Sequence, residues 1–143
     1  MPTQFEMLGV FLDWLRHQAR RRRWNPEQAL GRRGEDLAYR FLRRQGYTIV
    51  ARNYRSTAGN AEADLIAWEG ATLVVIEVKS RRSDEHGPPE RAIGDDKRAH
   101  LRRVARAYAR KTDTPWEKVR CDVVTVVLTG QPRLQLVRNA FNI

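Results

Sequence analysis

The stretch Asp64-Leu65-Ile66-Ala67-Trp68-Glu69-Gly70-Ala71-Thr72-Leu73-Val74-Val75-Ile76-Glu77-Val78-Lys79 decides the fold and locates the chemistry. Two apolar runs flank a turn signal at Glu69-Gly70-Ala71, which predicts a hairpin. Asp64, Glu77 and Lys79 stand where a buried strand ordinarily carries Val or Ile. Ionisable groups set against the hydrophobic pattern are costly unless they bind something. Alternation puts Glu77 and Lys79 on one face of their strand, and Glu62 and Asp64 on one face of the strand before. A two-residue loop at Glu69-Gly70 sets Trp68 against Ala71, Glu62 against Glu77 and Asp64 against Val75. Asp64 and Glu77 then become diagonal neighbours, about 7 Å apart along the backbone. A three-residue loop would reverse the parity unless a bulge restored it.

Two carboxylates this close repel, and one takes up a proton unless a cation intervenes. Mg²⁺ suits the pair, because it prefers hard oxygen ligands, uses one or two carboxylates and keeps waters. Lys79 adds a compact positive charge that could orient a water or offset charge on a scissile phosphate. Phosphodiester hydrolysis uses all of these parts. The competing reading is an internal Glu77–Lys79 salt bridge with Asp64 capping the turn, although a buried ion pair rarely gains much stability.

Working outward, Asn25-Pro26 opens a helix that runs to about Gln45 and stops at Gly46. Leu30, Gly34, Leu37, Ala38, Phe41 and Leu42 make its buried face, with Glu35 at the margin. Tyr47 to Arg55 reads as a strand and Ser56 to Asn60 as a turn. The hairpin strands follow, at Glu62 to Trp68 and Leu73 to Lys79. Ser80 to Gly94 is a loop, and Asp95 to Lys111 a second helix with Leu101, Val104, Ala105 and Tyr108 inward. Cys121 to Leu128 reads as a buried strand and Arg133 to Val137 as an edge strand. The order α-β-β-β-α-β, with a final edge strand, predicts an α/β unit with a mixed sheet covered by helices. Residues 1–24 read as an extension and residues 25–143 as the main domain. Leu8, Phe11, Trp14, Leu15 and Ala19 recur at helical spacing in the extension, ahead of the run Arg20-Arg21-Arg22-Arg23. Packing of that apolar stripe on the main domain is the first expectation; a second subunit or a membrane surface are the others.

The chain carries 27 Lys and Arg against 17 Asp and Glu, a net charge of +10, which points to a polyanionic partner. A lone Cys121 excludes an internal disulfide framework and reads as a buried, inert thiol. The N-terminal apolar stretch is broken by Asp13 and precedes the basic run, so it does not read as a signal peptide. No stretch is long enough to span a bilayer, and the expected compartment is the cytoplasm. His86 and His100 have no partner at a metal-binding spacing and read as surface residues.

The blocks Gly34-Glu35-Asp36-Leu37-Ala38, Ala51-Arg52-Asn53-Tyr54-Arg55, Glu62-Ala63-Asp64-Leu65-Ile66-Ala67, Glu77-Val78-Lys79-Ser80-Arg81, Lys97 and Arg120-Cys121-Asp122-Val123-Val124 occur in that order. In this the chain resembles the YraN-like family of bacterial proteins, related to Holliday-junction-resolvase-like nucleases of the PD-(D/E)XK superfamily. The resemblance covers about residues 29–128. It implies a restriction-endonuclease-like core, in which Asp64, Glu77 and the Val78 carbonyl hold Mg²⁺ or Mn²⁺. It also implies a catalytic Lys79, with Glu35 completing the acidic cluster. Two departures stand out: Ala61-Glu62-Ala63-Asp64 replaces the usual Gly-Glu-Ile-Asp, and Cys121 stands where Phe is common. Neither removes an implied ligand.

Arg81, Arg82, Lys97, Arg98 and Arg102 are the candidate nucleic-acid contacts. Arg98, Arg102, Arg106 and Arg110 form an outward-facing stripe on one helix, and Lys97 projects from its inward side. Lys97 reads equally well as a snorkelling side chain over the sheet. The expected function is metal-dependent cleavage of DNA, including branched DNA, by a protein able to form a homodimer. A nucleic-acid-binding module without turnover is the alternative.

Overall fold

The computed structural model describes residues 3–23, 25–56, 61–83 and 87–143. The element order is α1 (Gln4–Arg23), α2 (Pro26–Arg44), β1 (Thr48–Arg55), β2 (Glu62–Glu69), β3 (Thr72–Arg81), α3 (Asp95–Lys111), β4 (Val119–Val127) and β5 (Arg133–Val137), with short 3-10 helices at Pro89–Ala92 and Trp116–Lys118. α2 starts as its sequence dictates: the Asn25 side chain accepts from the Gln28 amide, and Pro26 occupies the first turn. It ends at Gly46, whose φ of +93° only a glycine adopts freely.

The five strands form one sheet in the order β1-β2-β3-β4-β5. β1, β2 and β3 run antiparallel to one another, β4 is parallel to β3, and β5 closes the edge antiparallel to β4. Crossing between parallel strands requires a connection of a dozen residues or more, and α3 supplies it. α2 covers one face of the sheet with Ala38 and Leu42 against Leu65, Val74, Ile76, Val78, Val124 and Val126. α3 covers the other with Leu101, Val104 and Ala105 against Ile66, Leu73, Val75, Cys121 and Val123. The result is the expected α/β architecture, a mixed sheet flanked by helices, compatible with a restriction-endonuclease-like core.

The hairpin register differs from the expected one. Trp68 pairs with Leu73 rather than Ala71, and Glu69 pairs with Thr72. The loop is Gly70-Ala71, because Gly70 takes the left-handed φ of +59° that a tight hairpin needs. Glu69 meanwhile stays in the strand, where Arg120 and Arg138 hold its carboxylate. A slip of two residues preserves the parity, so Asp64 and Glu77 still meet. They now stand opposite each other, one step beyond the last paired residues Leu65 and Ile76.

The first expectation for the extension also fails. Leu8, Phe11, Trp14 and Leu15 are exposed, and α1 meets α2 through its polar strip, where Arg40 reaches Asp13 and the Gly9 carbonyl. Of the α2 positions read as buried, Gly34, Ala38 and Leu42 are, while Leu37 and Phe41 are half-buried against the core. Most of the expected turn Ser56 to Asn60, and His86, lie outside the described residues.

Candidate acidic cleft

β2 changes the face it presents at Asp64. Ala61 and Ala63 belong to the core under α3, whereas Leu65 and Ala67 belong to the core under α2. On β1, between the residues paired with Leu65 and Ala63, Asn53 holds a left-handed φ of +50°. Both strands therefore twist at the same level. This takes Asp64 out of simple alternation and carries its carboxylate toward β3, where Asp64 Oδ2 accepts from the Val78 amide at 2.8 Å. The carboxylate replaces a ladder hydrogen bond at the point where the β2–β3 pairing stops.

Glu77 follows the regular alternation of β3 and faces α3. There the Lys97 ammonium lies 3.5 Å from Glu77 Oε2 and donates to the Glu62 carbonyl at 3.3 Å. Oε2 is buried and makes no hydrogen bond of good geometry among the described residues. Burial, and then the Asp64 charge, push the Glu77 carboxyl up to about 8, against the pull of Lys97. Asp64 is also raised, first by burial, while the Val78 amide and Lys97 draw it back down. From α2, Glu35 is raised by burial and by the Asp64 charge, with Arg32 opposing at 3.0 Å. Raised acids that sense one another mark a site where negative charge is concentrated without full compensation.

These groups line an open cleft of about 680 Å³, with Glu35, Asp64, Glu77, Val78, Lys79, Arg81 and Arg82 on its walls. The cleft thus gathers the two central acids, the third acid and the lysine into one place. Lys79 is exposed, so the internal Glu77–Lys79 pair is not formed; Lys97 takes that role. Among the described residues no three His, Cys, Asp or Glu side chains are grouped as a metal cage. The donors on hand are the Asp64 and Glu77 carboxylates, with the Val78 carbonyl beside them in the chain. Hard oxygens, one of them buried and, among the described residues, without a hydrogen bond of good geometry, suit a cation that keeps several waters.

The remaining cations divide. Arg81 donates to the Gly87 carbonyl at 3.3 Å, and Arg82 is exposed at the rim. Arg98 and Arg102 are half-buried and turn to the C-terminal segment. Arg102 donates twice to the Asn142 carbonyl, and both guanidinium groups lie over the Phe141 ring. The stripe expected to face outward is thus partly a clamp, because Phe141 buries itself in the core under α3. Cys121 is buried, and burial pushes its thiol up to about 12, as an inert core cysteine requires.

Two polar groups escaped sequence reasoning. Asp36 is buried and paired with Arg52 at 2.7 Å, which ties α2 to β1. Its signal was its place two turns after the buried Ala29. Ser80 Oγ is buried without a hydrogen-bond partner among the described residues, where Gly34 lets α2 approach β3.

The sequence profile of the uncharacterised protein family UPF0102 matches residues 34–126, which include Glu35, Asp64, Glu77, Lys79 and Lys97. A UPF0102 protein of Solibacter usitatus is 52% identical over 121 residues, covering 85% of this chain and 91% of its own. Another, of Koribacter versatilis, is 48% identical over 114 residues, covering 78% of each chain. A third, of Desulfosudis oleivorans, is 42% identical over 118 residues, covering 82% of this chain and 94% of its own. With two thirds of its length inside the profile and such relatives along most of the rest, the chain belongs to the uncharacterised protein family UPF0102, the YraN family, within the restriction-endonuclease-like superfamily.

Proposed function

We propose that the protein is a metal-dependent nuclease that hydrolyses phosphodiester bonds in DNA. The observation that carries this is the meeting of Asp64 and Glu77 where β2 and β3 part, both raised by burial in a cleft that also holds Glu35 and Lys79. Groups so arranged disfavour the apo, fully ionised state and favour a divalent cation. Asp64, Glu77 and the Val78 carbonyl would hold Mg²⁺ or Mn²⁺. The bound ion supplies Lewis acidity toward a phosphoryl oxygen. Lys79 offers its charge to the non-bridging oxygens of the scissile phosphate. Glu35, held nearer to neutrality than an ordinary carboxylate, can take a proton from an attacking water. Arg81 and Arg82 at the rim position the backbone without reading its sequence. A net charge of +10 attracts a polyanion to the molecule as a whole, and Arg81, Arg82 and Arg91 border the cleft.

Purified protein and Asp64→Ala are incubated with duplex, single-stranded and four-way-junction DNA, in Mn²⁺ or in EDTA. Cleavage by the parent in Mn²⁺ alone, and its loss in the variant, supports the reading. No cleavage of any substrate sinks it, and cleavage that survives Asp64→Ala exposes a contaminant.

One observation favours a second reading, a nucleic-acid-binding module without turnover. Lys97 already supplies a counter-charge to Glu77, so the acidic pair has a partner inside the fold. DNA binding that is unaffected by Mn²⁺, with no cleavage, would select it.

A further inference from the structure

α1 is docked the wrong way round for a helix of a water-soluble domain. The strip that meets α2 is polar: Asp13 Oδ2 accepts from Arg40 Nε at 2.6 Å, and the Gly9 carbonyl accepts from Arg40 Nη2 at 2.6 Å. Asp13 is only 7% exposed, and any side chain at Gly9 would overlap the Arg40 guanidinium. Projected down the axis, Glu6, Gly9, Asp13 and Arg16 share that strip. Most of the remaining circumference is apolar and open. Phe5, Leu8, Val10, Phe11, Trp14 and Leu15 are between 41% and 87% exposed. A contiguous apolar patch of this kind on a charged protein marks a contact surface.

Charge identifies what covers it. The apolar arc borders a cleft of about 440 Å³ lined by Phe5 and Val10, by Arg40 and Arg52, which are paired with Asp13 and Asp36, and by Arg43 and Arg44. Arg43 and Arg44 are exposed, and in sequence α1 runs on into Arg20-Arg21-Arg22-Arg23. This cleft shares no lining residue with the acidic one. A second copy of the chain would set these arginines against their own like in a molecule of charge +10. Duplex DNA, its bases already stacked, would take the arginines and leave the apolar arc in water. Acyl chains beneath a layer of phosphates satisfy both. We infer that α1 seats the protein on an anionic bilayer surface. The helix lies in the plane of the interface, its apolar arc sinks to the acyl boundary, and Arg43 and Arg44 meet headgroup phosphates. No described helix is long and apolar enough to cross a membrane, and the contact needs none.

The test is flotation of the full-length protein with vesicles of phosphatidylcholine, alone or with about a third phosphatidylglycerol. Two double variants are compared, Phe11→Asp with Trp14→Asp, and Arg43→Glu with Arg44→Glu. All four positions are exposed, so circular dichroism should match the parent. Expected are binding to the anionic vesicles, binding to neutral ones weaker by at least about tenfold, and loss of at least about tenfold in either variant. Absence of binding to anionic vesicles overturns the inference, as does binding undiminished in the Phe11/Trp14 variant. Light scattering supplies the rival outcome: a parent dimer that the Phe11/Trp14 variant splits would give the face to a second copy and overturn it as well.

Discussion

The Val78 amide donates to Asp64 Oδ2 at 2.8 Å, so a side chain closes the β2–β3 ladder where a backbone carbonyl would otherwise do so. Asp64 is therefore both a strand terminator and a candidate metal ligand, and substitution can separate the two roles. Asn keeps an oxygen for the Val78 amide but brings no charge. Asp64→Asn should hold thermal stability within about 1 kcal/mol of the parent, because the buried N–H stays satisfied. Mn²⁺-dependent cleavage should fall by at least about a hundredfold. Melting curves and a cleavage time course check the pair of outcomes; a large drop in stability would mean that the charge itself is structural.

Glu77 gives a pH dependence of fixed sign. In the fold its carboxyl is pushed up to about 8 by burial and by Asp64, with Lys97 and the Glu62 carbonyl the other polar groups at hand. An unfolded glutamate ionises near 4.5. Between these limits the folded chain holds more protons than the unfolded one, so this group's contribution falls as pH rises. Glu77→Gln should therefore stabilise the metal-free protein at pH 8, on the order of 2 kcal/mol, while ending cleavage. The gain should shrink toward pH 5. Urea melts in EDTA at the two pH values measure it, and an equal gain at both would rule out ionisation as the cause.

Gly34 sets the distance between α2 and β3. A Cβ there would overlap Ser80 Oγ and come within 2.9 Å of Ser80 Cβ. Gly34→Ala should cost about 1–3 kcal/mol by prising the helix from the strand, and should displace Glu35 with it. Ser80→Gly in the same chain removes the obstruction and should restore most of the loss. Denaturant unfolding of the two single variants and the double gives the coupling; additive losses would show that the obstruction is not the cause.

The site was legible in the sequence because strand parity survives errors of two residues. Asp64 and Glu77 met under the expected register and meet under the observed one, although Glu69 rather than Trp68 ends the strand. What could not be read was any contact set by twist. The change of face at Asp64, mirrored by the left-handed Asn53, depends on the pairing of β1 with β2. The hold of Lys97 on Glu77 depends on how α3 lies across the sheet. α1 misled because its apolar spacing reports amphipathicity and says nothing about which side meets the domain; one buried pair, Asp13 with Arg40, reverses it.

A buried polar knot at the far end of the sheet should matter to stability and not to cleavage. Asp122 is fully buried and accepts from the Tyr47 hydroxyl at 2.7 Å, from Arg120 Nε at 2.8 Å and from the Asn139 amide at 2.9 Å. Removing its carboxylate leaves Arg120 with Glu69 as its remaining carboxylate partner and takes their acceptor from the Tyr47 hydroxyl and the Asn139 amide. Asp122→Ala should cost about 3–5 kcal/mol, and Tyr47→Phe, which loses one hydroxyl, about 1–2 kcal/mol. Urea unfolding ranks them. A Tyr47→Phe variant as damaged as Asp122→Ala would show that the phenol organises the knot.

The cations beside the cleft should separate by salt dependence. Arg81 and Arg82 line the acidic cleft, whereas Arg98 and Arg102 are spent on Phe141 and the Asn142 carbonyl. A phosphate contact releases counterions, and each one lost flattens the dependence of log affinity on log salt by about one unit. Arg81→Ala with Arg82→Ala should therefore weaken duplex binding and lower the slope by about two, with little change in melting temperature. Arg98→Ala with Arg102→Ala should lower the melting temperature instead, because Phe141 loses the guanidinium groups that cover it and the Asn142 carbonyl loses two donors. Fluorescence anisotropy across a salt series decides between them. A slope that flattens equally in both variants would make the α3 arginines phosphate ligands, and the C-terminal segment would then have to move aside when DNA binds.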